Sequence, residues 1–373
     1  MNINKIPKSF RRVLPHSLKR FLVRMYVRWD MRKSPGKLDG PRISFASVLP
    51  AAGSFIRGGK VKLTHLRKKF GENNTGYNIL YLVSSTLPGF ADIWVEEARR
   101  KKIKIVWNQN GVGYPAWTPI WEKINGLMKP IADADYVIYQ SEFCRKDAND
   151  LVATYTGPYT ILNNCIDTEI LGPADPPLPL DPIVLLVTGT HMTPEKVFIP
   201  LETTRSLINK GYNVRLSIYG PGEWPNANTE IQNKISELGL KDQVTVHGKY
   251  LQDESASIYR SGHILIHVKY MDPSPTTPLS AMASGVPVIG SKSGGMIELV
   301  SSSAGILLDV PLSRERLYYP RVEEVAKAVE IIMKGWNKWS NSARKHAAER
   351  FNIETWVNIH EKIFKELLNK NEG

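Results

Sequence analysis

The chain has 373 residues, with 49 Lys+Arg against 36 Asp+Glu, a formal net charge of +13, 42% hydrophobic residues and 2 cysteines. An apolar fraction of this size excludes a disordered chain and suffices for about two buried cores. Cys144 and Cys165 can form at most one bridge, which excludes a disulfide scaffold and suits a reducing compartment.

The positive charge gathers at the start of the chain. Residues 1–40 hold eleven basic and two acidic residues, whereas the other 333 carry only +4. That remainder has no zinc-finger spacing, aromatic-basic interleaving or basic recognition helix, so no nucleic-acid partner is expected. Within the basic segment Leu18, Phe21, Leu22, Met25, Tyr26 and Trp29 recur at helical spacing, with Arg20, Arg24, Arg28 and Arg32 along the flank. Such a basic amphipathic helix is suited to an anionic membrane surface. The alternative is that the stripe packs on the protein's own core with the arginines as a solvated rim. The segment lacks the apolar h-region and cleavage site of a signal peptide. Runs such as Ile183 to Val187 and Ile264 to Ile266 are far shorter than the roughly 20 apolar residues that cross a bilayer. A cytoplasmic chain, peripheral on the inner face of the membrane, is therefore expected.

From Arg42 onward β-rich runs alternate with helical patterns. Strands are predicted at Ile43 to Val48, Asn78 to Ser84, Ile103 to Asn108, Tyr136 to Gln140 and Thr160 to Asn163. Residues 171–182, LGPADPPLPLDP, then deny the chain helix hydrogen bonds and favour an extended linker. Strands resume at Ile183 to Thr188, Val214 to Tyr219, Val244 to His247, Ile264 to Val268, Val286 to Ile289 and Ile306 to Leu308, and helices at Trp339 to Arg350 and Glu354 to Leu368 close the chain. The alternation implies an α/β fold of two parallel sheets, each binding ligands beyond the carboxyl ends of its strands, and facing one another across a cleft at the hinge. The expected division is 1–40 for the basic segment, 41–172 with about 354–373 for an N-terminal domain, and 173–353 for a C-terminal domain.

Chemistry concentrates in Val268 to Val300. A strand ends near Lys269, a loop carries Asp272, and a helix can begin around Thr277 with Pro278 in its first turn. The Thr276 and Thr277 amides would then be free to hold a diphosphate. A short strand feeds Ser293-Gly294-Gly295 and a second helix start carrying Glu298. In the N-terminal half, Trp107 to Trp117 follows a strand with Asn108, Asn110 and Tyr114 among aromatics. Amides beside ring faces suit a sugar, and an Asx-stabilised turn is the alternative.

The stretch P-L-S-A-M-A-S-G-V-P-V-I-G-S followed by G-G-M-I-E resembles the donor-site signature of the family 4 retaining glycosyltransferases, whose two Rossmann-like domains form the GT-B architecture. Residues 189–196, GTHMTPEK, resemble that family's G-R-x-x-P-E-K turn, and 163–167, NNCID, its N-G-V-D segment. Gly58-Gly59-Lys60 is similar to its glycine pair, and 350–356, RFNIETW, to its closing element; the resemblance runs from about residue 42 to 370. It implies a nucleotide-sugar donor on the C-terminal domain, a glycan or lipid-linked acceptor on the N-terminal one, and transfer with retained configuration in cell-surface polysaccharide or glycolipid synthesis. Lys196 and Asp272 would be the catalytic residues, with Gly189, Thr190, His191, Thr276, Thr277, Ser280, Gly294, Gly295 and Glu298 on the donor. Gly58, Gly59, Asn108, Asn110 and Tyr114 would line the acceptor side. Neither a metal nor a cofactor is implied, the nucleotide sugar being substrate.

Three departures accompany the resemblance. Asp272 and Ser280 stand where the family has two glutamates, and Thr190 where it has a phosphate-binding arginine. They motivate an alternative, a catalytically silent glycan-binding or scaffolding protein on the same fold. Other motifs fail on spacing. Gly53 to Lys60 is one residue too long for a Walker A loop, Asp133-Ala134-Asp135 precedes a strand and so lies at the wrong sheet edge, and His263 and His267 share a strand with no third metal ligand near.

Overall fold

The computed structural model describes residues 15–32, 40–46, 59–73 and 75–369. Among them the chain forms two compact units: the first runs to Leu162 and is rejoined from Glu354, and the second is Asn163–Ile353.

In the first unit β1 (Ile43–Ser44), β2 (Ile79–Val83), β3 (Lys104–Gln109), β4 (Tyr136–Tyr139) and β5 (Tyr159–Ile161) form one parallel sheet in sequence order. Its described helices are α1 (His16–Asp30), α2 (Gly59–Phe70), α3 (Ala91–Arg100), α4 (Trp121–Gly126) and α5 (Glu142–Leu151). Every residue of β2 is buried, as a parallel strand covered on both faces requires, and its sequence ILYLV is accordingly continuous rather than alternating in polarity.

The second unit has a six-stranded parallel sheet of order β11-β10-β9-β6-β7-β8. These are β6 (Ile183–Val187), β7 (Val214–Tyr219), β8 (Val244–Gly248), β9 (Ile264–His267), β10 (Val288–Ser291) and β11 (Gly305–Leu308). Its helices are α6 (Glu195–Asn209), α7 (Ala227–Glu237), α8 (Ser255–Arg260), α9 (Thr276–Ala283), α10 (Met296–Leu299), α11 (Val322–Met333) and α12 (Trp336–Arg350). Alternate residues of β6 and β9 feed opposite cores. Leu185 and Ile264 join Val197, Leu207 and Val329 on one face, while Leu186 and Leu265 join Leu279, Met282 and Ala343 on the other. The last helix, α13 (Ile353–Asn369), lies in the first unit from Glu354. It is fixed there by buried His360, whose ring pairs with Tyr81 Oη at 3.0 Å and which burial pushes down to about 3.

The passage between units differs from the expected hinge. It falls at Leu162–Asn163, ahead of the proline run, because the intervening segment is bonded into the second unit. Ile166 N–H donates to Phe351 O at 2.9 Å, Arg344 donates to Leu171 O at 2.7 Å and to Thr168 O at 3.0 Å, and Leu171 is buried.

α1 also departs from expectation. It carries two apolar strips, and the one that packs inward is Val23, Val27 and, just beyond the helix, Met31. The arginines are not a free rim, because three of them are paired. Arg20 pairs with Asp92 at 2.6 Å, Arg24 with Glu96 at 2.7 Å and Arg28 with Glu97 at 2.7 Å, all on α3. Tyr77 Oη donates to buried Asp30 at 2.7 Å and closes the far end. The predicted stripe therefore divides: Leu22 and Tyr26 are partly covered, while Leu18, Phe21, Met25 and Trp29 are left exposed.

Candidate functional site

In the second unit, the loops leaving the carboxyl ends of β6, β9 and β10 bring most of the predicted donor residues together. β6 and β9 are neighbours in the sheet, so Thr188-Gly189-Thr190-His191 and Val268-Lys269-Tyr270-Met271-Asp272 leave it side by side. Gly189 has φ +91°, and a Cβ there would meet Thr277 Oγ1 at 3.3 Å, so the first loop lies directly against the start of α9.

α9 begins at Thr276, with Pro275 as N-cap and no capping side chain. Pro278 occupies its first turn, where a missing N–H removes no helix bond. The first N–H groups of a helix have no partner within it, and with Thr276 and Thr277 at the first two positions, those amides suit an anion.

Lys196, on the first turn of α6, is buried and donates from Nζ to Thr190 O at 2.7 Å. Burial, reinforced by the nearby charge of Lys269 and opposed by Asp272, pushes it down to about 7. Asp272 is buried as well. Burial by itself would raise its carboxyl group, but Lys269 Nζ at 2.9 Å and His267 Nε2 at 3.5 Å hold it well below the usual carboxylate range. His267 is pushed down by burial, so it is neutral near pH 7. Lys269 thus pairs directly with the Asp272 carboxylate, while the Lys196 amine, bonded to Thr190 O, is near enough to feel the charges of both.

The β10 loop holds the Asp272 loop in place. Ser293 Oγ accepts from Met271 N–H at 3.0 Å, and Gly295 N–H donates to Asp272 O at 2.8 Å. Gly294 has φ +61°, and a Cβ there would lie 2.5 Å from Asp272 O and 2.8 Å from Asp272 N. Gly294 and Gly295 are therefore the packing surface beneath Asp272. Glu298, half-buried on the one-turn α10, has its carbonyl within 3.3 Å of Arg350 Nη1.

Two of the predicted donor residues, His191 and Ser280, are buried in the scaffold of the loops. His191 is fully buried, with its ring on Tyr219 O at 3.1 Å, and burial together with the Lys196 charge pushes it down to about 3. It is a neutral loop-fixing group without charge for a diphosphate. Ser280 lies inside α9, buried. Sequence reasoning passed over Lys269 and set His267 aside; the signal for both was their place, three and five residues before Asp272 at the end of a strand.

On the first unit the expected acceptor residues scatter. Asn108 is buried in β3, its Oδ1 accepting from Lys62 Nζ at 3.0 Å, and its Nδ2 has no partner among the described residues. Asn110 Oδ1 accepts from Ser85 N–H at 3.0 Å and its Nδ2 donates to Ser85 Oγ at 2.7 Å, so its side chain ties the end of β3 to the segment after β2 rather than closing a local Asx turn. Tyr114 is buried with its hydroxyl donating to Asp147, so it is a core residue and not a sugar platform. Gly59 opens α2, and Gly58 lies outside the described residues. Asp135 Oδ2 accepts from Ile105 N–H at 2.7 Å at the amino edge of the sheet. No cluster that could hold a metal occurs among the described residues.

Residues 174–346 match the family model described as glycosyl transferases group 1. An uncharacterized glycosyltransferase of Methanocaldococcus jannaschii is 23% identical over 182 residues, covering 48% of this chain and 43% of that protein. A D-inositol 3-phosphate glycosyltransferase of Streptomyces bingchenggensis is 24% identical over 247 residues, covering 61% and 52%. The chain thus spans about half the length, or less, of the curated relatives it matches. Among solved structures, Anabaena HepE in complex with UDP-glucose aligns with a TM-score of 0.65 at 16% identity, covering 88% of this chain and 100% of that one. Sucrose-phosphate synthase of Thermosynechococcus elongatus aligns with a TM-score of 0.63 at 18% identity, covering 83% and 77%. The fold is that of the GT-B glycosyltransferases, and residues 174–346 are similar to the group 1 glycosyl transferases.

Proposed function

We propose that the chain is a retaining glycosyltransferase of the family 4 type, moving a sugar from a nucleotide donor to a glycan or lipid-linked acceptor. The observation that carries this is the grouping of Lys196, Asp272 and the Thr276 and Thr277 amides at one carboxyl sheet edge, inside the span matched by the glycosyltransferase group 1 model. The donor's diphosphate lies at the start of α9, where main-chain amides and the Lys196 ammonium take up the charge that develops as the glycosidic bond to the phosphate breaks. These dipoles are fixed before substrate arrives, so little reorganisation is needed as that charge develops. Asp272, held ionised, accepts hydrogen bonds from sugar hydroxyls and fixes the anomeric carbon relative to the leaving group. A donor of UDP type is favoured by the UDP-glucose complex of Anabaena HepE.

The acceptor reading joins to the membrane through α1. Leu18, Phe21, Met25 and Trp29 form an exposed apolar row on a helix whose arginines are already paired with α3. Lys5, Lys8, Arg11 and Arg12 precede it in sequence with no acidic residue among the first fourteen. The row enters the headgroup boundary of an anionic leaflet while the arginine pairs keep the helix on its unit. A seat on that surface supports the reading of a lipid-linked acceptor in cell-surface polysaccharide or glycolipid synthesis.

Incubation of the protein with UDP-, GDP- and ADP-sugars, with mass spectrometry of products and calorimetry of binding, tests the reading. Heat of binding with sugar transfer or slow donor hydrolysis is expected. Binding of glycan alone, with no nucleotide-sugar binding or turnover, would instead assign a silent glycan-binding protein.

A further inference from the structure

We propose that Lys269 is the second cation of the donor site and contacts the diphosphate in place of the charge missing at Thr190. The inference rests on the nucleotide-sugar reading above and names a residue that reading does not contain. Thr190 offers a backbone carbonyl that already accepts from Lys196, and its side chain brings no charge. A single buried ammonium then faces a diphosphate dianion, with the Asp272 carboxylate close by to oppose that dianion.

Lys269 relieves both problems from one place. It leaves the carboxyl end of β9, adjacent to β6, and its Nζ lies 2.9 Å from Asp272 Oδ2. Its side chain is 32% exposed against 10% for Asp272, so it forms the open rim of the cluster and Asp272 the floor. The other groups facing Asp272 and Lys196 are His267 and His191, which burial keeps neutral. Among the described residues the charges that act on this cluster are those of Lys196, Lys269 and Asp272, and the field of Lys269 reaches Lys196 strongly enough to help displace its titration. When a diphosphate arrives, the Lys269 ammonium moves from Asp272 to a phosphate oxygen. Asp272 is thereby released to the sugar hydroxyls, so the same exchange binds the leaving group and readies the carboxylate.

The rival account is that Lys269 is only the structural counterion of Asp272. Calorimetric titration with UDP, GDP and ADP of the wild type, Lys269→Met, Lys269→Arg, Asp272→Asn and the double variant Lys269→Met/Asp272→Asn separates the two. The diphosphate that binds the wild type is expected to bind Lys269→Met about ten- to a hundredfold more weakly, as loss of a charge-assisted phosphate contact implies, and Lys269→Arg within a few fold. The double variant is expected to bind more weakly than Asp272→Asn by a similar factor. Equal affinity of the double variant and Asp272→Asn would reduce Lys269 to a counterion and overturn the inference alone. A wild type that binds none of the three would overturn the donor reading and this inference together. Circular dichroism of each variant checks that the fold persists, and the double variant, which buries no unpaired carboxylate, keeps the test decisive should Lys269→Met alone unfold.

Discussion

Replacing Lys196 by Met is expected to give a protein that is more stable near neutrality and nearly inactive, and the pH dependence of the gain identifies its origin. In the unfolded chain the amine titrates at its ordinary 10.5, whereas in the folded protein burial brings it down to about 7. The unfolded state thus takes up the proton first as pH falls. The folded state carries no penalty from this group above its unfolded value, loses stability as pH drops, and has lost the full amount below about pH 7. At about 1.36 kcal/mol for each pH unit between the two values, the loss is about 4 kcal/mol near pH 7 and about 2 kcal/mol near pH 9. Met fills a similar volume without the charge. It also removes the bond to Thr190 O, but that offset does not depend on pH, so the comparison between pH values isolates the charge. Hydrogen exchange of the β6 and β9 amides, read by mass spectrometry at both pH values, measures the opening free energy of this unit without requiring the whole chain to unfold in one step. The advantage of Lys196→Met over wild type should shrink by about 2 kcal/mol between pH 7 and pH 9, while turnover falls on the order of a hundredfold or more. An advantage that is the same at both pH values would refute the assignment of Lys196 as a buried, readily deprotonated amine.

Nucleoside diphosphate affinity of the wild type should weaken as pH rises through about 7, because the deprotonated Lys196 brings no charge; a pH-independent affinity would remove Lys196 from the donor contacts. Gly294→Ala places a methyl group 2.5 Å from Asp272 O at φ +61°. It should destabilise by about 2–4 kcal/mol through left-handed strain and backbone overlap and weaken nucleotide binding with it, as urea unfolding and calorimetry would report. Tyr77→Phe strands the buried Asp30 carboxylate, with an expected loss of about 1–3 kcal/mol and faster proteolysis within α1; unchanged protease resistance would mean that the arginine pairs hold the helix without it. Phe21→Ser/Met25→Ser/Trp29→Ser alters only exposed positions, so it should leave thermal unfolding unchanged and abolish sedimentation with phosphatidylglycerol vesicles. Retained sedimentation would exclude this row as the membrane contact.

The order of the strands along the chain and the helix start at Thr276 follow from local features, whereas Lys196 comes to the Asp272 loop only because β6 pairs with β9. Buried parallel strands are written as short continuous apolar runs, as in ILYLV, and a helix start before Pro278 is a property of a few adjacent residues. Side-chain partners, by contrast, were decided by elements far apart in sequence. The amphipathic pattern of α1 is compatible with either strip facing inward, and only the acidic row Asp92, Glu96 and Glu97 on α3 selects the strip of Val23 and Val27 and pairs the arginines. Tyr114 reads as a sugar platform until Asp147, on α5, takes its hydroxyl. Lys269 and His267 acquire meaning from Asp272 through the turn that Ser293 and Gly294 impose from the neighbouring strand. Periodicity is a short-range property that secondary structure reads directly. Burial, ion pairing and proton affinity depend on distances of a few ångströms across the chain, which exist only once the sheets are packed.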